Sequence, residues 1–193
     1  MRVEVLTGAA LDAALDDVAR LRIEVFRAFP YLYDGDLAYE REYLQTYRDS
    51  AGAVLVGAFD GARLVGAATG TPMEDHAEDF AGAFDGTGYA LGDIFYCAES
   101  VLLPEYRGRG VGPRFFDLRE DHARAMGRHY SAFCGVVRSA DHPLRPDDHA
   151  PLDPFWRKRG YAPLDGVVAH FRWKDVDAAE ETAKPLQFWI KAL

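Results

Sequence analysis

The sequence predicts an α/β fold built on a central sheet of mixed strand direction. Short segments that alternate apolar and polar residues, typical of strands, are interleaved with longer segments whose apolar residues recur every three or four positions, typical of helices. Their approximate order is β-α-α-β-β-(α)-β-α-β-α-β-β, where the brackets mark an acidic segment that fits a helix or a loop. The 193 residues contain no internal repeat or linker, so we expect one domain over residues 1–193.

Seven segments have the period or the bounded apolar character of strands. They are Arg2–Leu6, Ala53–Phe59, Ala62–Thr69, Leu91–Leu103, Tyr130–Val137, Val167–Trp173 and Leu186–Ile190. The second and third segments flank Asp60-Gly61, a dipeptide typical of a tight hairpin turn, so these two strands are expected to pair with each other.

Four segments have helical spacing. The first spans residues 12–29 and is ended by Pro30, which cannot continue a helix. The second follows the turn at residues 34–35. The third follows a glycine-rich turn and tolerates Pro113 because this proline lies in the first helical turn. The fourth is short and centres on residues 155–157.

Composition and charge exclude several classes of protein. Hydrophobic residues make up 49% of the chain and charged residues 27%, which is typical of a globular protein with a core. The formal charge of −9 disfavours binding to nucleic acid or to an anionic membrane. No segment approaches the roughly 18 apolar residues of a membrane helix, and the N-terminus lacks a signal-peptide pattern, so we expect a cytoplasmic protein. Cys97 and Cys134 are too few for a disulfide framework or a cysteine-rich metal site.

Positive charge is concentrated around one glycine-rich turn. No Lys or Arg lies between Arg63 and Arg107, although that segment contains eight acidic residues. Six arginines follow, at positions 107, 109, 114, 119, 124 and 128. The turn at 107–112 joins a predicted strand to a predicted helix. Its glycines allow backbone N–H groups to approach a ligand, and the helix N-terminus adds partial positive charge, which indicates a phosphate or diphosphate site. A simple connection to a solvated, Arg-rich helix is the alternative.

The spacing of this turn does not match the two common phosphate-binding motifs. A mononucleotide P-loop ends in Gly-Lys-Ser/Thr, whereas this turn continues Gly112-Pro113-Arg114. The dinucleotide motif needs a third glycine where Pro113 stands. A dinucleotide-dependent oxidoreductase is therefore disfavoured.

The segment LLPEYRGRGVG, residues 102–112, resembles the acetyl-coenzyme A motif of the GNAT N-acetyltransferases. That motif is Arg/Gln-x-x-Gly-x-Gly/Ala, preceded by a strand and Pro-x-Tyr-Arg. FWRKRGY, residues 155–161, is similar to a second segment of the family, Phe-Tyr-x-x-x-Gly-Phe. The resemblance implies the GNAT fold, a largely antiparallel sheet with one splayed strand pair and flanking helices. It also implies that acetyl-CoA, as the acyl-donor substrate, gives its acetyl group to a primary amine of a small molecule or peptide by direct attack in a ternary complex.

The resemblance also implies roles for individual residues. The acetyl-CoA-binding set is Leu102, Leu103, Arg107, Gly108, Arg109, Gly110, Val111, Gly112 and Phe155. Within it, the turn amides would bind the pyrophosphate, and the Leu102 N–H would polarise the thioester carbonyl. Glu99 is the nearest upstream carboxylate and is the expected general base, with Tyr96 and Asp93 as fallbacks. Glu99 and Leu102 have opposite parity, so a bulge would decide the face that Glu99 occupies. Alternatively, Glu99 pairs with an arginine.

Trp156 departs from the family pattern. Many members have a tyrosine there that protonates the departing thiolate, which an indole cannot do at neutral pH. Tyr161 is another possible donor but matches a packed phenylalanine of the family, and His149 stands where the family has an asparagine. A catalytically weak or inactive acyl-CoA-binding regulatory module is therefore the alternative function.

Two features bear on the partners. The resemblance implies an acceptor site walled by the N-terminal helices and the loop after the splayed strand, which here contain Tyr31, Tyr33, Asp34, Asp36, Tyr39, Tyr43 and the loop 138–149. The aromatic and acidic groups favour a cationic amine, whereas Arg138, His142 and Arg145 favour an acceptor with a carboxylate, and both interpretations stay open. The aromatic closing strands either form a homodimer contact or pack on the chain's own helices. No metal is expected, because the histidines and acids of the loop lack an established ligand spacing.

Overall fold

One seven-stranded sheet organises the computed structural model, which describes residues 1–193. Its strands are β1 (Arg2–Leu6), β2 (Val54–Asp60), β3 (Arg63–Pro72), β4 (Ile94–Leu102), β5 (Tyr130–Val136), β6 (Ala162–Lys174) and β7 (Glu181–Ala192). The spatial order is β1-β2-β3-β4-β5-β7-β6. Only β4 and β5 are parallel, and the other neighbours are antiparallel. The predicted sheet of mixed, largely antiparallel direction is confirmed.

Six helices flank the sheet. They are α1 (Gly8–Phe26), α2 (Leu37–Tyr43), α3 (Gln45–Asp49), α4 (Ala77–Phe84), α5 (Val111–Ala125) and α6 (Asp153–Lys158). Helix α1 begins and ends earlier than the predicted residues 12–29, so Phe29 lies beyond its end. This follows from Pro30, because a proline disfavours the helical conformation in the residue before it. No helix combines the length and the apolar character needed to cross a bilayer.

Strand β4 contains a bulge. Ala68 pairs with Ser100 and Gly70 with Cys97, so two residues of β4 lie opposite the single intervening residue of β3. Arg119, on α5, reaches this irregularity and is only 1% exposed. Its guanidinium donates to the carbonyl oxygens of Thr69 at 3.0 Å and of Glu99 at 3.1 Å, and to the Ser100 hydroxyl at 2.8 Å. One side chain thus satisfies backbone groups at the point where the ladder is disrupted.

Strands β4 and β5 separate after three residue pairs, the last of which is Tyr96 with Ala132. Strand β5 continues to pair with β7 as far as Val136, whereas residues 97–102 of β4 have a sheet partner only on the β3 side. A cleft therefore opens between residues 97–102 and residues 133–136. This is the predicted splayed strand pair.

The aromatic residues of the closing strands lie inside the chain. Phe188 is fully buried and packs edge-on against Phe80 and Phe84 of α4. Trp189 is 4% exposed and stacks on Phe133 of β5. Of the two interpretations of these strands, internal packing describes the side chains of Phe188 and Trp189, and the homodimer contact stays a prediction.

Candidate active site

The turn between β4 and α5 presents five consecutive backbone N–H groups, from Gly108 to Gly112, none of which donates to a protein acceptor. Gly108 and Gly110 have φ values of +72° and +79°, in the left-handed region that favours glycine. No atom lies within 4 Å of the position that a Cβ would take at either residue. Gly110 is the N-cap of α5, so the last two N–H groups belong to the positive end of a 15-residue helix. This concave row of donors is suited to a diphosphate.

Two exposed arginines add charge to this turn. The Arg107 Nε donates to the carbonyl oxygen of Leu102 at 3.3 Å, and Arg109 donates to the carbonyl oxygen of Glu105 at 2.8 Å. Because these side chains contact carbonyl oxygens rather than carboxylates, their positive charge remains available to an anion.

Leu102 and Leu103 differ in what they can offer a ligand. Leu103 N–H donates to the Val65 carbonyl at 3.0 Å, the Leu103 carbonyl accepts from Tyr106, and the side chain is buried in the core. Successive peptide groups of a strand point to opposite sides, so the N–H and carbonyl of Leu102 point away from β3 and toward the cleft. The expected backbone contact is therefore open to Leu102, whereas Leu103 has no free group for the role the sequence assigned to it.

The α6 side of the cleft is apolar. Trp156 packs against Phe133 and Trp189, with ring centroids 4.9 Å and 5.1 Å apart, and its ring covers Gly135. Phe155, predicted to contact the acyl donor, is half-buried with its ring beside that of Phe116 on α5. These rings form one wall of the cleft and supply no acid.

Tyr161 lies in the core and is 2% exposed. Its hydroxyl donates to the Glu120 carboxylate at 3.0 Å and lies 2.7 Å from the Ser131 hydroxyl. Burial raises the pKa of Tyr161 well above its ordinary value. Packing and hydrogen bonding account for this residue, as expected for a match to the family's packed phenylalanine.

Glu99, the expected base, lies on the β4 bulge and is 6% exposed. Its Oε2 atom lies 2.6 Å from Nη1 of Arg22, on α1. Pairing with an arginine, the alternative drawn from the sequence, is therefore present. The other oxygen, Oε1, is buried and has no hydrogen-bond partner. The bulge at Ala98 and Glu99 interrupts the alternation of side chains along β4, and Glu99 faces α1 whereas Ser100 contacts Arg119 of α5.

Arg22 joins two buried carboxylates. Besides Glu99, it contacts Oε2 of Glu40, on α2, through Nε at 2.5 Å, and its guanidinium lies over the ring of Tyr43. Burial alone would lower the pKa of Arg22, but the two carboxylates raise it well above its ordinary value, so the guanidinium stays charged. Sequence reasoning missed both Arg22 and Glu40, because a single charged residue in an amphipathic helix gives no signal that it is buried.

A solvent-open pocket lies beside Glu99, and eight of its 14 lining residues are aromatic. Four of these were predicted for the acceptor wall: Tyr31, Tyr33, Tyr39 and Tyr43. Asp34 and Asp36 are not in the lining. Asp34 pairs with Arg27 and Lys174, and Asp36 caps α2 through the N–H groups of residues 38 and 39. The structure thus brings the predicted aromatic residues together with Glu99 but not the predicted aspartates.

The fallback residues differ in position. Tyr96 lines the pocket, and its hydroxyl lies 3.5 Å from the Cys134 sulfur. Burial raises the pKa of Tyr96 well above its ordinary value. Asp93 precedes β4, at the end of the strand opposite Leu102, and lies beside His129. Asp93 is therefore remote from the cleft.

The loop 138–149 contributes no side chain to the pocket lining. Arg138 forms a two-pronged contact with Asp175, with both distances 2.8 Å, and also donates to the carbonyls of residues 30 and 31. His142 and His149 have their rings beside Phe29. The arginine that favoured a carboxylate-bearing acceptor is therefore committed to an internal contact. No group of three or more His, Cys, Asp or Glu side chains is placed to hold a metal ion.

Comparison with known proteins bears on this arrangement. Residues 16–146, which include the second half of α1, the splayed strands and the glycine-rich turn, match the model of the acetyltransferase (GNAT) family. The chain is a GNAT-family acetyltransferase. A comparison of this acetyltransferase with curated proteins found no match.

Solved structures share the fold of this acetyltransferase at low sequence identity. A ribosomal-protein-alanine N-acetyltransferase from Brucella melitensis is 13% identical, with a TM-score of 0.60 and 100% of both chains covered. A polyamine N-acetyltransferase from Drosophila melanogaster gives the same identity, TM-score and coverage. An aminoglycoside 6′-N-acetyltransferase complexed with coenzyme A is 16% identical, with a TM-score of 0.62 and coverage of 100% of this chain and 97% of the other.

Proposed function

We propose that this protein transfers an acetyl group from acetyl-CoA to a primary amine of a small molecule or peptide, and that residues 1–193 form one catalytic domain. The observation that carries the proposal is the row of five unpartnered N–H groups at 108–112, next to the open end of the β4–β5 cleft. Ala98 of β4 and Cys134 of β5 line the pocket beside Glu99, and both residues also border the cleft. The structural relatives named for acetylating a ribosomal-protein alanine, an aminoglycoside or polyamines agree with an amine acceptor.

The residues present fit acetyl-CoA. The N–H groups of 108–112 would hold the diphosphate, with Arg107 and Arg109 adding positive charge. The cleft-facing carbonyl of Leu102, which also accepts from Arg107 at 3.3 Å, would accept from an amide of the pantetheine arm between the splayed strands, and the Leu102 N–H would face the thioester. When bound, acetyl-CoA supplies an acyl carbon that is activated by a thiolate leaving group.

Transfer requires one bond to form and one to break. The neutral amine nitrogen attacks the acyl carbon, the carbon–sulfur bond breaks, and its electron pair leaves on sulfur. The ammonium form of the amine must lose one proton before it attacks, and the nitrogen loses a second proton after the bond has formed. One of these two protons ends on the thiolate, so the products are an N-acetylated amine and coenzyme A. The free Oε1 of Glu99 accepts a proton from the amine, directly or through one water. Leu102 N–H stabilises the developing oxyanion, an effect typically worth about 3 kcal/mol.

Gly110→Asp tests the diphosphate site. The new carboxylate would lie against the phosphates. Two like charges about 4 Å apart near a protein surface repel by about 4 kcal/mol. The affinity for acetyl-CoA, measured by calorimetry, should therefore fall at least about 100-fold. Gly127→Asp is the matched control. Gly127 also has a positive φ, +73°, and open space at its Cβ position, but lies past the other end of α5. Unchanged affinity in Gly110→Asp would remove the basis of the proposal.

An acyl-CoA-binding module without turnover is the second candidate. Trp156, which replaces the family's tyrosine, and the Arg22–Glu99 ion pair favour it. A thiol-release assay against a mixed panel of amines separates the two functions. Acetyl-CoA binding with no thiol released by any amine favours the module, whereas amine-dependent thiol release establishes the transferase.

A further inference from the structure

We propose that the acceptor is a primary monoamine with an aryl or alkyl body, bound as a single cation whose ammonium group pairs with Oε1 of Glu99. This inference deepens the proposed function and rests on it. Its basis is a buried charge imbalance next to an aromatic pocket.

The imbalance comes from three residues that are all nearly inaccessible. Arg22 is 8% exposed, Glu40 is fully buried and Glu99 is 6% exposed. Two carboxylates share one guanidinium, so the group carries a net charge of −1 away from water. A buried carboxylate is costly to leave without a full set of partners, yet Oε1 of Glu99 has none. Because Glu99 also lines the pocket, a cation entering the pocket can supply the missing partner.

The remainder of the pocket favours an apolar body. Tyr31 stacks on Trp173 with centroids 6.0 Å apart and packs against Phe26 at 4.4 Å, which makes a continuous aromatic wall. Phe171 and Tyr39 complete the lining toward solvent. Rings of this kind gain from burying aryl or alkyl surface, and their faces attract an ammonium group.

A second charge on the acceptor finds no buried partner. Arg172, the only other charged residue in the lining, lies exposed at the rim and disfavours a second cation there. Asp79 and Glu181, whose charges act on the pKa of Tyr39 in the lining, are solvent-exposed and offer only screened attraction. A carboxylate on the acceptor would meet Arg22 already paired with two carboxylates and Arg138 held by Asp175. The exposed Arg172, which donates to the Glu181 carbonyl, offers that carboxylate only a screened attraction. The pocket therefore matches one positive charge.

A series of acceptors that share the same six-carbon chain tests this selectivity. Hexylamine has a single ammonium group, 1,6-diaminohexane has a second ammonium group, and 6-aminohexanoic acid has a carboxylate at the far end. A fourth acceptor, 2-phenylethylamine, supplies an aryl body. We expect kcat/KM from thiol release to be at least about 10-fold higher for hexylamine and 2-phenylethylamine than for the other two. Equal or faster reaction of the diamine or the amino acid would overturn the inference.

Amine binding without acetyl-CoA separates this inference from the proposed function. Calorimetric titration with 2-phenylethylamine should show at least about 10-fold weaker binding to Glu99→Gln than to the wild type, because the amide lacks the charge. Asp79→Asn, the same change at the exposed rim, should bind as the wild type does. Equal loss in both variants, or no loss in either, would contradict the role of Glu99.

Tyr39→Ser keeps the inference testable if Glu99→Gln does not fold. Tyr39 is 45% exposed, so its truncation leaves no buried cavity. The variant should lose affinity for 2-phenylethylamine but not for methylamine, and equal losses for both amines would contradict an apolar subsite. Amine binding as described but with no thiol release would refute the transferase and leave the pocket assignment standing. Thiol release that is faster with the diamine or the amino acid than with the monoamines would support the transferase and refute the pocket assignment.

Discussion

Arg119→Met perturbs the contact between α5 and the β4 bulge. The methionine side chain approaches the length and apolar character of the arginine stem, but it cannot donate to the carbonyls of Thr69 and Glu99, which accept from Arg119 at 3.0 and 3.1 Å. Each buried carbonyl left without a donor costs about 1–3 kcal/mol, so the two together cost about 2–6 kcal/mol. Removing a buried guanidinium recovers part of this, because a charge no longer has to be desolvated. We expect a net loss of about 2–4 kcal/mol in the free energy of unfolding.

Urea denaturation followed by circular dichroism measures this loss. Arg124→Met is the matched control: Arg124 lies on the same helix, but its side chain is 45% exposed and pairs with Asp121, so its removal should cost no more than about 1 kcal/mol. Equal stability of the two variants would show that the bulge does not depend on the guanidinium. Because the bulge carries Glu99, Arg119→Met should also lower kcat, and Arg124→Met should not.

Two further predictions follow from ionisable groups. Burial alone would raise the pKa of Asp175, but the hydrogen bonds and charges of Arg138 and Lys184 lower it below its ordinary value. The stabilisation is therefore present above about pH 4 and is lost as the pH falls through the folded-state pKa. Asp175→Asn should lower the melting temperature at about pH 7, and the difference should shrink toward about pH 3; a constant difference would contradict this. Burial raises the pKa of Cys134 to about 12 and also raises that of Cys97, so neither thiol should react with an aromatic disulfide reagent at neutral pH until the protein is unfolded. Rapid labelling of the native protein would show that the thiols are accessible.

Local patterns predicted the parts of the fold that are determined locally. The strand, the glycine-rich turn and helix α5 follow one another within residues 94–125, so their apolar period and glycine spacing suffice to place them. Strands β6 and β7 are longer than predicted, spanning Ala162–Lys174 and Glu181–Ala192 rather than five to seven residues each. Most of the added residues lie at or near the surface and do not form an apolar pattern, so the pairing of the two strands with each other maintains them.

The charged residues of the interior could not be predicted in this way. Arg119 belongs to a series of arginines that looks like a solvated helix face, yet it is buried because a bulge on another strand needs donors. Arg22 is buried because Glu40 and Glu99 approach it from two other elements. In each case the partner is remote in sequence. The two carboxylates that pair with Arg22 lie 18 and 77 positions after it along the chain. The tyrosines of the expected acceptor wall were named because the family resemblance assigns that wall to the N-terminal helices, and the structure brings four of them into one pocket.

The two sides of the splayed cleft differ in their chemistry, and this difference bears on the reaction. The α6 side presents Trp156 and Phe133, and its nearby hydroxyl, on Tyr161, is committed to Glu120. The β4 side holds the free Leu102 N–H and Glu99, whose Oε1 atom has no hydrogen-bond partner. In the proposed transfer, proton removal from the amine and stabilisation of the oxyanion would therefore come from the same strand, whereas protonation of the thiolate would fall to solvent. A thiolate is a stable enough leaving group for this division, so the lack of an acid at Trp156 is compatible with turnover, and in the proposed transfer the role of proton acceptor rests on Glu99.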